Sequence, residues 1–374
     1  MPEPGNGIPV TMVLYSFLTG GSESVAATLA THFHSTGMRV SAVATHSGRG
    51  TTSEKLEAAG IPCLALGEDA GGRLRRSIRL FDHLRRTRCK ILHVHHFNML
   101  ATCYWPARLA GVRRIVVTEH SIHLMQDDRR SLQAARKYGP KADLITVVHQ
   151  GMREFIGQAL GTLASDIEVI PNGVDTTVFS PGNGRTNLEQ LSAVDPGDGV
   201  VVGCIGRLYK EKDHLNLLRA VSQLRDRGES GFIVFIVGDG DERDSLDQFV
   251  CDHGLEEVVQ FLGERHDVAE LLREMDIFVL PSSTEGHPVA LLEAMSSGLP
   301  CVATAVGGVP GVLADGGGIV VPAQDPAALA DGLSSLIRDP GARARLGLEA
   351  RKTILSRFNI RTMLARYERA LSGS

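Results

Sequence analysis

The chain has 374 residues, which is too long for one ordinary hydrophobic core, so two domains are expected. Its 43% of hydrophobic and 22% of charged residues are typical of a soluble globular protein, and the net charge of −4 excludes a generally basic nucleic-acid-binding protein. The six cysteines are scattered without a CxxC pair, which argues against a disulfide framework or a zinc site and favours a reducing cytoplasm.

Apolar runs rich in β-branched residues recur along the chain, with helix-permissive stretches between them. The first run, from Val10 to Leu18, is too short to span a membrane, and we expect no transmembrane segment. Continuous apolar strands that alternate with helices predict parallel sheets covered on both faces. The predicted strands are, in chain order, Val10–Tyr15, Val40–Thr45, Ile91–His95, Ile115–Thr118, Leu144–Val148, Glu168–Ile170, Val200–Ile205, Phe232–Val237, Val258–Leu262, Ile277–Leu280, Cys301–Thr304 and Gly318–Val321.

The strands fall into two series, separated by a stretch rich in glycine, proline and polar residues. This composition is typical of a linker, which we place at residues 181–199. The sequence thus predicts an α/β chain with two Rossmann-like domains, residues 1–180 and 200–357, followed by a C-terminal helix over residues 358–374. Ligands of such sheets bind at the C-terminal strand edges, so the expected site is a cleft between two such edges.

A basic amphipathic stretch lies in the first series of elements. Leu74, Ile78, Phe81 and Leu84 share one face at helical spacing. One interpretation is a domain helix with a solvated arginine face. The other is contact with an anionic membrane or a phosphate-bearing lipid acceptor. The arginines that would make this contact are Arg73, Arg75, Arg76 and Arg79.

Histidines end two predicted strands of the first domain. His93, His95 and His96 stand at one strand end, and His120 follows the next strand. A lone histidine at such a place is often only a hydrogen-bonded core residue, and we expect His93 and His96 to be structural. No nucleophile–base pair of the triad type is evident.

The first series ends in a turn with the sequence Ile170-Pro171-Asn172-Gly173-Val174-Asp175. Asn-Gly pairs readily adopt left-handed backbone conformations, so we expect Asn172 and Gly173 to turn the chain in this way. The segment is interpreted as structural.

The most informative segment runs from Glu285 to Ser297, after the apolar strand Ile277–Leu280. Pro288 begins a helix, which places Glu285 in the preceding loop and Glu293 about two turns into the helix. Between the two carboxylates lie the unpaired N–H groups of the helix N-terminus, which form an anion site. A phosphate site with hydrogen-bond acceptors at its sides suits a nucleotide-sugar.

This E-x7-E spacing, with Leu291-Leu292-Glu293-Ala294-Met295 and then Gly298 to Thr304, closely resembles the signature of retaining glycosyltransferases of family four. Those enzymes have the GT-B fold, in which the parallel sheets of two Rossmann-like domains face an interdomain cleft. The resemblance covers nearly the whole chain and implies that the C-terminal helix packs back toward the first domain. It also implies front-face attack, with the leaving phosphate accepting the proton of the acceptor.

The resemblance implies a donor site in the segment from Gly206 to Lys212, which follows the first strand of the second domain. Arg207 and Lys212 would stabilise the diphosphate and could substitute for a metal ion. No metal and no cofactor are therefore expected, and Asp239-Gly240-Asp241 is interpreted as a turn rather than a metal motif. The implied catalytic residues are Arg207, Lys212, Glu285 and His120, with His95 on the acceptor side. The implied donor-binding residues are Gly20, Gly21, Gly206, Gly238, Val268, Gly286, His287, Val289, Ala290 and Glu293.

The sequence departs from the family at His287, where Phe or Leu is common, and at Gly311, where Glu is usual. The first departure puts the donor sugar in doubt, and the second has no functional account. We predict a cytoplasmic, metal-independent, retaining hexosyltransferase, with UDP favoured over GDP and the acceptor open. Alternatives are a UDP-sugar 2-epimerase of the same fold, a degenerate sugar-nucleotide binder, and an NAD-dependent oxidoreductase. The last is disfavoured because no complete G-x-G-x-x-G follows the first strand.

Overall fold

The computed structural model describes residues 7–18, 20–46, 48–67, 72–122, 125–126, 128–182 and 199–372. Its chain forms two compact units, one of Met1–Asn172 with Met363–Ser374 and one of Gly173–Thr362. Each unit is built on a parallel sheet whose strands alternate with helices, which confirms the predicted α/β class with two Rossmann-like sheets. The predicted linker falls largely on residues 183–198, which lie outside the described residues.

The first unit contains a seven-stranded sheet in the order β3-β2-β1-β4-β5-β6-β7. Its strands are β1 Pro9–Leu14, β2 Arg39–Ala44, β3 Cys63–Ala65, β4 Ile91–His95, β5 Arg114–Glu119, β6 Leu144–Val147 and β7 Ile167–Val169. Its helices are α1 Gly21–Ser35, α2 Thr51–Ala58, α3 Arg73–Arg86, α4 Leu100–Leu109, α5 Arg129–Tyr138 and α6 Gln150–Leu160.

The second unit contains a six-stranded sheet in the order β10-β9-β8-β11-β12-β13. Its strands are β8 Val200–Ile205, β9 Phe232–Val237, β10 Val259–Gly263, β11 Ile277–Leu280, β12 Cys301–Thr304 and β13 Gly318–Val321. Its helices are α7 His214–Asp226, α8 Arg243–Asp252, α9 Val268–Arg273, α10 Val289–Ser296, α11 Val309–Val312, α12 Pro326–Arg338 and α13 Pro340–Arg357, before the final helix α14 Ile360–Ser372.

Both faces of the second sheet are covered. Along β8, Val200, Val202 and Cys204 join one hydrophobic cluster, whereas Val201 joins another. Successive side chains of a strand point to opposite faces, so two separate clusters mean apolar packing on each side of the sheet. This burial explains why the strands are continuous apolar runs rather than alternating ones.

All twelve predicted strands are present, with ends within one residue of the prediction. The strand Cys63–Ala65 was not predicted. It is only three residues long and lies in a short apolar run, residues 63–66, which contains no β-branched residue and was not recognised as a strand.

In each sheet the strand order reverses direction at one place. In the first unit this switch point lies between β1 and β4, and in the second it lies between β8 and β11. Ligands of open α/β sheets bind in the crevice outside the carboxyl ends of the strands at such a point. The loops that follow these four strands are therefore the places to look for binding residues.

Most of helix α14 belongs to the first unit, where its residue Tyr367 is fully buried. The Tyr367 hydroxyl lies 3.5 Å from Thr118 Oγ1 on β5, and Glu368 Oε1 lies 2.8 Å from His32 Nε2 on α1. Among the described residues, no helix is long and apolar enough to cross a membrane.

The expected left-handed turn at Asn172-Gly173 was wrong, because neither residue has a positive φ. Glycine is needed at position 173 for a different reason. A Cβ there would lie 2.8 Å from Ile360 Cα, because this segment runs beside the start of α14. The adjacent Val174 N–H donates to Phe358 O at 2.9 Å.

The four apolar residues that share one face of α3 differ in burial. Leu80 and Leu84 are its buried residues, whereas Leu74 and Ile78 are 76% and 53% exposed. The helix packs on its C-terminal half, so the apolar residues of its first two turns remain at the surface. Arg76 donates from Nη1 to Thr45 O at 3.1 Å and is thus engaged at the sheet edge.

Candidate active site

The two loops at the switch point of the second sheet are joined by backbone hydrogen bonds. The N–H groups of Ser283 and Thr284, after β11, donate to Glu211 O, after β8, at 2.9 and 3.3 Å. The Ser283 hydroxyl donates to the same oxygen at 3.2 Å. These bonds bring the predicted residues Lys212 and Glu285 together, although they are 73 residues apart in the chain.

Glu285 has one oxygen held and one oxygen available. Oε1 accepts from Lys212 Nζ at 2.7 Å and from Ser282 Oγ at 2.8 Å. The Glu285 side chain is 7% exposed and that of Lys212 is 26% exposed, so the carboxylate is the more deeply desolvated partner. Among the described residues no hydrogen bond to Oε2 is found, which leaves this oxygen able to accept from a ligand hydroxyl.

The backbone at Glu285-Gly286 is supported from β12. Gly307 has φ +51°, and a Cβ at this position would lie 1.9 Å from Glu285 O. The N–H of Gly308 donates to Gly286 O at 2.7 Å. Glycine at position 307 is therefore required by this close approach, which fixes the backbone from which the Glu285 side chain extends.

Arg207 lies exposed in the loop after β8, where its guanidinium stacks over the Tyr209 ring at 4.6 Å from the ring centroid. In the described part of the chain no ion pair of Arg207 is found. Gly206 and Gly238 lie beside it, since a Cβ on Gly238, with φ +138°, would lie 2.0 Å from Gly206 O. Within the described ranges Arg207 thus presents a guanidinium without an ion-pair partner, five residues before Lys212 in the same loop.

Helix α10 begins directly after this loop, with Pro288 at its N-cap and no side chain capping its first N–H groups. Val289 and Ala290 are its first two residues, and Glu293, which is half-buried, lies at the start of its second turn. His287 is buried, with its ring 5.2 Å from that of Phe358. The uncapped helix N-terminus therefore lies between Glu285 and Glu293 in the chain, and a helix end of this kind has the N–H groups that an anion needs.

Val268, a predicted donor-binding residue, does not lie at the switch point of the second sheet. It begins helix α9 after β10, two strands away from the switch point, and follows the ion pair of Arg265 with Asp267. Asp239, in the Asp-Gly-Asp segment, accepts from Gly240 N–H at 2.8 Å within its own turn. Across the described ranges, no three His, Cys, Asp or Glu side chains form a group that could hold a metal ion.

In the first unit, four histidines gather where β4 and β5 end. His95 Nδ1 lies 2.9 Å from His120 Nε2, and the two rings are stacked at 5.1 Å. His93 Nε2 lies 2.7 Å from Thr118 Oγ1. His95 Nε2 and His120 Nδ1 are buried, and neither has a partner among the described residues. The structure thus joins the two histidines that the sequence predicted as functional into one pair.

The sequence reasoning missed Glu119, the residue before His120. Its buried carboxylate lies 2.5 Å from His96 Nδ1 and accepts from the N–H groups of Phe97, His120 and Ser121 at 3.0 to 3.2 Å. Burial alone would lower the pKa of His96, but the Glu119 charge and hydrogen bond raise it overall, with a further contribution from Glu23. A carboxylate at a strand end, directly before the histidine, was the signal that could have identified it.

The other three histidines of this group are held neutral. Burial lowers the pKa of His93 to about 3. Burial, followed by the charges of neighbouring histidines including His96, lowers the pKa of His95 and His120 well below the usual value. The pair His95–His120 therefore consists of two neutral imidazoles, with one outer nitrogen a donor and the other an acceptor.

Acidification from pH 7.5 to pH 5 is expected to destabilise the protein through these rings. A histidine whose pKa is lowered on folding makes its full contribution to the free energy of unfolding above its unfolded-state pKa of about 6.5. This contribution is lost as the pH falls below that value. For His93 the loss at pH 5 is about 2 kcal/mol. His96, with a raised pKa, acts in the opposite sense and stabilises below about pH 6.5. Urea unfolding across this range should show a weaker pH dependence in His93→Gln, and an unchanged dependence would contradict the assignment.

Gly20 and Gly21 stand at the N-terminus of α1, at the switch point of the first sheet. A Cβ on Gly20 would lie 2.3 Å from Glu23 Oε2, whereas a Cβ on Gly21 would meet nothing within 4 Å. As far as the described residues go, the space beside Gly21 is therefore open, as expected where a ligand approaches the backbone.

Gly21→Ala is expected to leave the free energy of unfolding within about 0.5 kcal/mol of wild type and to weaken ligand binding by tenfold or more. Gly238→Ala, which meets Gly206 O and has a positive φ, should instead destabilise the fold. Denaturant unfolding and nucleotide-sugar titration separate the two effects. Gly151→Ala, at an exposed position of helix α6, is the control that should leave ligand affinity unchanged. Wild-type ligand affinity in Gly21→Ala would refute the role of this glycine.

Comparison with known protein families identifies the class. The family model described as "Glycosyl transferases group 1" matches residues 190–353, and the one described as "Glycosyltransferase Family 4" matches residues 19–178. The chain belongs to this family of glycosyltransferases with the GT-B fold and is a transferase enzyme.

Two individual relatives show the extent of the sequence similarity. The chain is 33% identical over 287 residues to the GDP-mannose-dependent alpha-(1-6)-phosphatidylinositol monomannoside mannosyltransferase of Mycolicibacterium smegmatis, covering 71% of this chain and 72% of that one. It is 31% identical over 238 residues to the UDP-Gal:alpha-D-GlcNAc-diphosphoundecaprenol alpha-1,3-galactosyltransferase of Escherichia coli. That match spans 62% of each chain, less than two thirds of the relative's length.

The fold has close counterparts among solved structures. HepE of Anabaena, in complex with UDP-glucose, matches with a TM-score of 0.86 at 22% identity, covering 98% of this chain and all of the other. Sucrose-phosphate synthase of Thermosynechococcus elongatus matches with a TM-score of 0.81 at 19% identity and 98% coverage. At these identities the similarity establishes the fold alone.

Proposed function

We propose that this protein transfers a hexose from a nucleoside-diphosphate donor to an acceptor hydroxyl, with retention of anomeric configuration and without a metal ion. The observation that carries the proposal is the switch point of the second sheet. There Lys212, from the loop after β8, contacts Glu285, from the loop after β11. Arg207 lies in the same loop as Lys212, and helix α10 begins shortly after Glu285 with no side chain capping its N-terminus. Cations and helix N–H groups suit a diphosphate, and carboxylate oxygens suit sugar and ribose hydroxyls.

In the proposed reaction the bond between the anomeric carbon and the diphosphate oxygen breaks while the acceptor oxygen bonds to the same face of that carbon. The acceptor proton passes to the leaving phosphate oxygen, and the products are a glycoside and a nucleoside diphosphate. Negative charge grows on the leaving group, where Arg207 and Lys212 stabilise it. Glu285 Oε2 would accept from a donor sugar hydroxyl, Glu293 from the ribose, and His120 would orient the sugar.

UDP is favoured over GDP as the donor nucleotide, although relatives use both. The E. coli relative is named for UDP-Gal and the M. smegmatis relative for GDP-mannose. Both are also named for acceptors that carry phosphate, a diphosphoundecaprenol and a phosphatidylinositol mannoside. We propose that the acceptor of this protein likewise carries a phosphate group. Neither the 2-epimerase nor the oxidoreductase alternative is favoured by these similarities.

Donor turnover tests the proposal without knowledge of the acceptor. The protein is incubated with UDP-hexoses and GDP-mannose in EDTA, and proton NMR follows nucleotide release and the anomer of the sugar first formed by slow transfer to water. Release of UDP with an α-anomer from an α-linked donor supports a retaining, metal-independent transferase. A sugar inverted at C2 would instead favour the epimerase, and no turnover of any donor by the wild type, with none after addition of Mg²⁺ or Mn²⁺, would contradict the proposal.

We also propose that the protein works in the cytoplasm and contacts the inner face of the membrane through the start of α3. Leu74 and Ile78 are exposed there, beside the exposed Arg73 and Arg75, and Arg79 lies on the same helix. Apolar and cationic side chains on one surface favour an anionic bilayer.

Vesicle sedimentation is expected to show binding to anionic liposomes and weak binding to neutral ones. Arg73→Gln with Arg75→Gln should reduce the anionic binding several-fold, because each basic residue contributes about 1 kcal/mol near the surface. Equal sedimentation with both kinds of vesicle would rule out the electrostatic contact.

A further inference from the structure

An aromatic pair stands at the carboxyl edge of the first sheet, beside its switch point. Tyr15 follows β1 and His46 follows β2, and their rings stack with centroids 4.3 Å apart and planes 11° apart. The strand ladder continues into this pair, since His46 N–H donates to Tyr15 O at 3.0 Å. Tyr15 is 42% exposed, and its hydroxyl has no partner among the described residues. The pair is therefore a fixed, accessible aromatic surface.

The His46 ring is held in place by its neighbours. Its Nδ1 lies 2.8 Å from Thr45 Oγ1. Partial burial, and then the charge of Arg76, lower the pKa of His46. The ring thus stays neutral near pH 7, so that Arg76 supplies the positive charge at this place.

Arg76 reaches the same edge from helix α3. Its Nη1 donates to Thr45 O at 3.1 Å, and its buried Nε–H has no acceptor among the described residues. No carboxylate in the described ranges forms an ion pair with it. A guanidinium has five N–H donors, and leaving buried donors unused costs free energy. Among the described residues, Arg76 is therefore a cation without a carboxylate partner at this edge.

The two features together define a ligand class. Aromatic ring faces bind the apolar C–H faces of sugar and cyclitol rings, while a guanidinium binds phosphate through paired hydrogen bonds. We propose that Tyr15, His46 and Arg76 form an acceptor subsite for a phosphorylated sugar or cyclitol. Arg76 binds the phosphate, and the stacked pair of Tyr15 and His46 binds the ring. This inference rests on the proposed transferase function and specifies its acceptor side.

The location supports an acceptor rather than a donor role. The subsite stands at the ends of β1 and β2 in the first unit, whereas the cations and carboxylates proposed for the donor belong to the second unit. The alternative is that Arg76 only supports the Thr45 backbone and that Tyr15 only covers His46. In that case neither a phosphate group nor a sugar or cyclitol ring should bind at these three residues.

Titration calorimetry of the full chain separates the two possibilities. The protein is first saturated with UDP in EDTA, which occupies the proposed donor site, and is then titrated with inorganic phosphate, inositol 1-phosphate and inositol. The variants are Arg76→Gln and Tyr15→Leu, with Arg85→Gln, an exposed residue of the same helix, as the control. Circular dichroism and the UDP affinity report whether each variant remains folded.

The expected result is that inositol 1-phosphate binds at least tenfold more tightly than inositol. Arg76→Gln should remove this difference, Tyr15→Leu should weaken inositol 1-phosphate but not inorganic phosphate, and Arg85→Gln should do neither. Absence of phosphoester binding up to about 10 mM, or binding unaffected in Arg76→Gln, would overturn the subsite. Failure to bind UDP in the first step, with GDP tried in its place and also not bound, would instead count against the proposed function itself.

Discussion

Arg207→Ala is expected to lower kcat by about 10²- to 10³-fold while leaving the fold intact. Arg207 is exposed and stacks on Tyr209, so its removal leaves no buried group unpaired. Its charge matters only when negative charge accumulates on the leaving diphosphate, which is why the loss appears in turnover. Steady-state kinetics with the best donor measure the effect, and denaturant unfolding checks stability.

Lys210→Ala is the matched control for Arg207→Ala. Lys210 is an exposed cation three residues along the same loop, and its removal changes the net charge equally. A wild-type rate in the Lys210 variant, together with a large loss in the Arg207 variant, would show that the loss depends on the position of the cation and not on net charge. Wild-type turnover in Arg207→Ala would remove this residue from the mechanism.

Lys212→Met is expected to damage both stability and catalysis. The substitution leaves the buried Glu285 carboxylate without its cation, and breaking such a pair in a partly exposed setting costs about 1 to 3 kcal/mol. Turnover should fall by two orders of magnitude or more, because the diphosphate also loses a cation. Urea unfolding and kcat measurements on the same preparations report the two losses.

The double variant Lys212→Met with Glu285→Gln separates the two roles. Removing both charges should restore much of the lost stability, because no unpaired charge remains buried. Activity should stay low, since neither the diphosphate nor the sugar regains its partner. Recovery of activity together with stability would show that the pair is structural only.

The strands of this fold could be predicted because they are buried on both faces. Long runs such as Phe232–Val237 are apolar throughout, and glycines or polar turns mark their ends. The strand Cys63–Ala65 was missed because its short apolar run has no β-branched residue, and periodicity cannot distinguish such a run from a helix segment. The exposed start of α3 could not be foreseen either, since helical spacing shows which residues share a face but not how far along the helix another element covers it.

The donor-side residues were predictable where motif and strand end coincided, as at Glu285. What the sequence could not show is that Lys212 contacts Glu285, because this ion pair depends on the pairing of β8 with β11. The contacts of Glu119 with His96 and of Arg76 with Thr45 could not be foreseen for the same reason. Each joins residues that are far apart in the chain and that only the folded sheet brings together.

The most direct test of the account is nucleotide binding at the switch point of the second sheet. Thermal unfolding is measured with UDP, GDP and ADP, each in EDTA, for the wild type and for Glu293→Ala. A nucleotide at one hundred times its dissociation constant should stabilise the wild type by about 2.7 kcal/mol. The account predicts stabilisation by UDP in EDTA that is lost in Glu293→Ala. Stabilisation by none of the three nucleotides would contradict it.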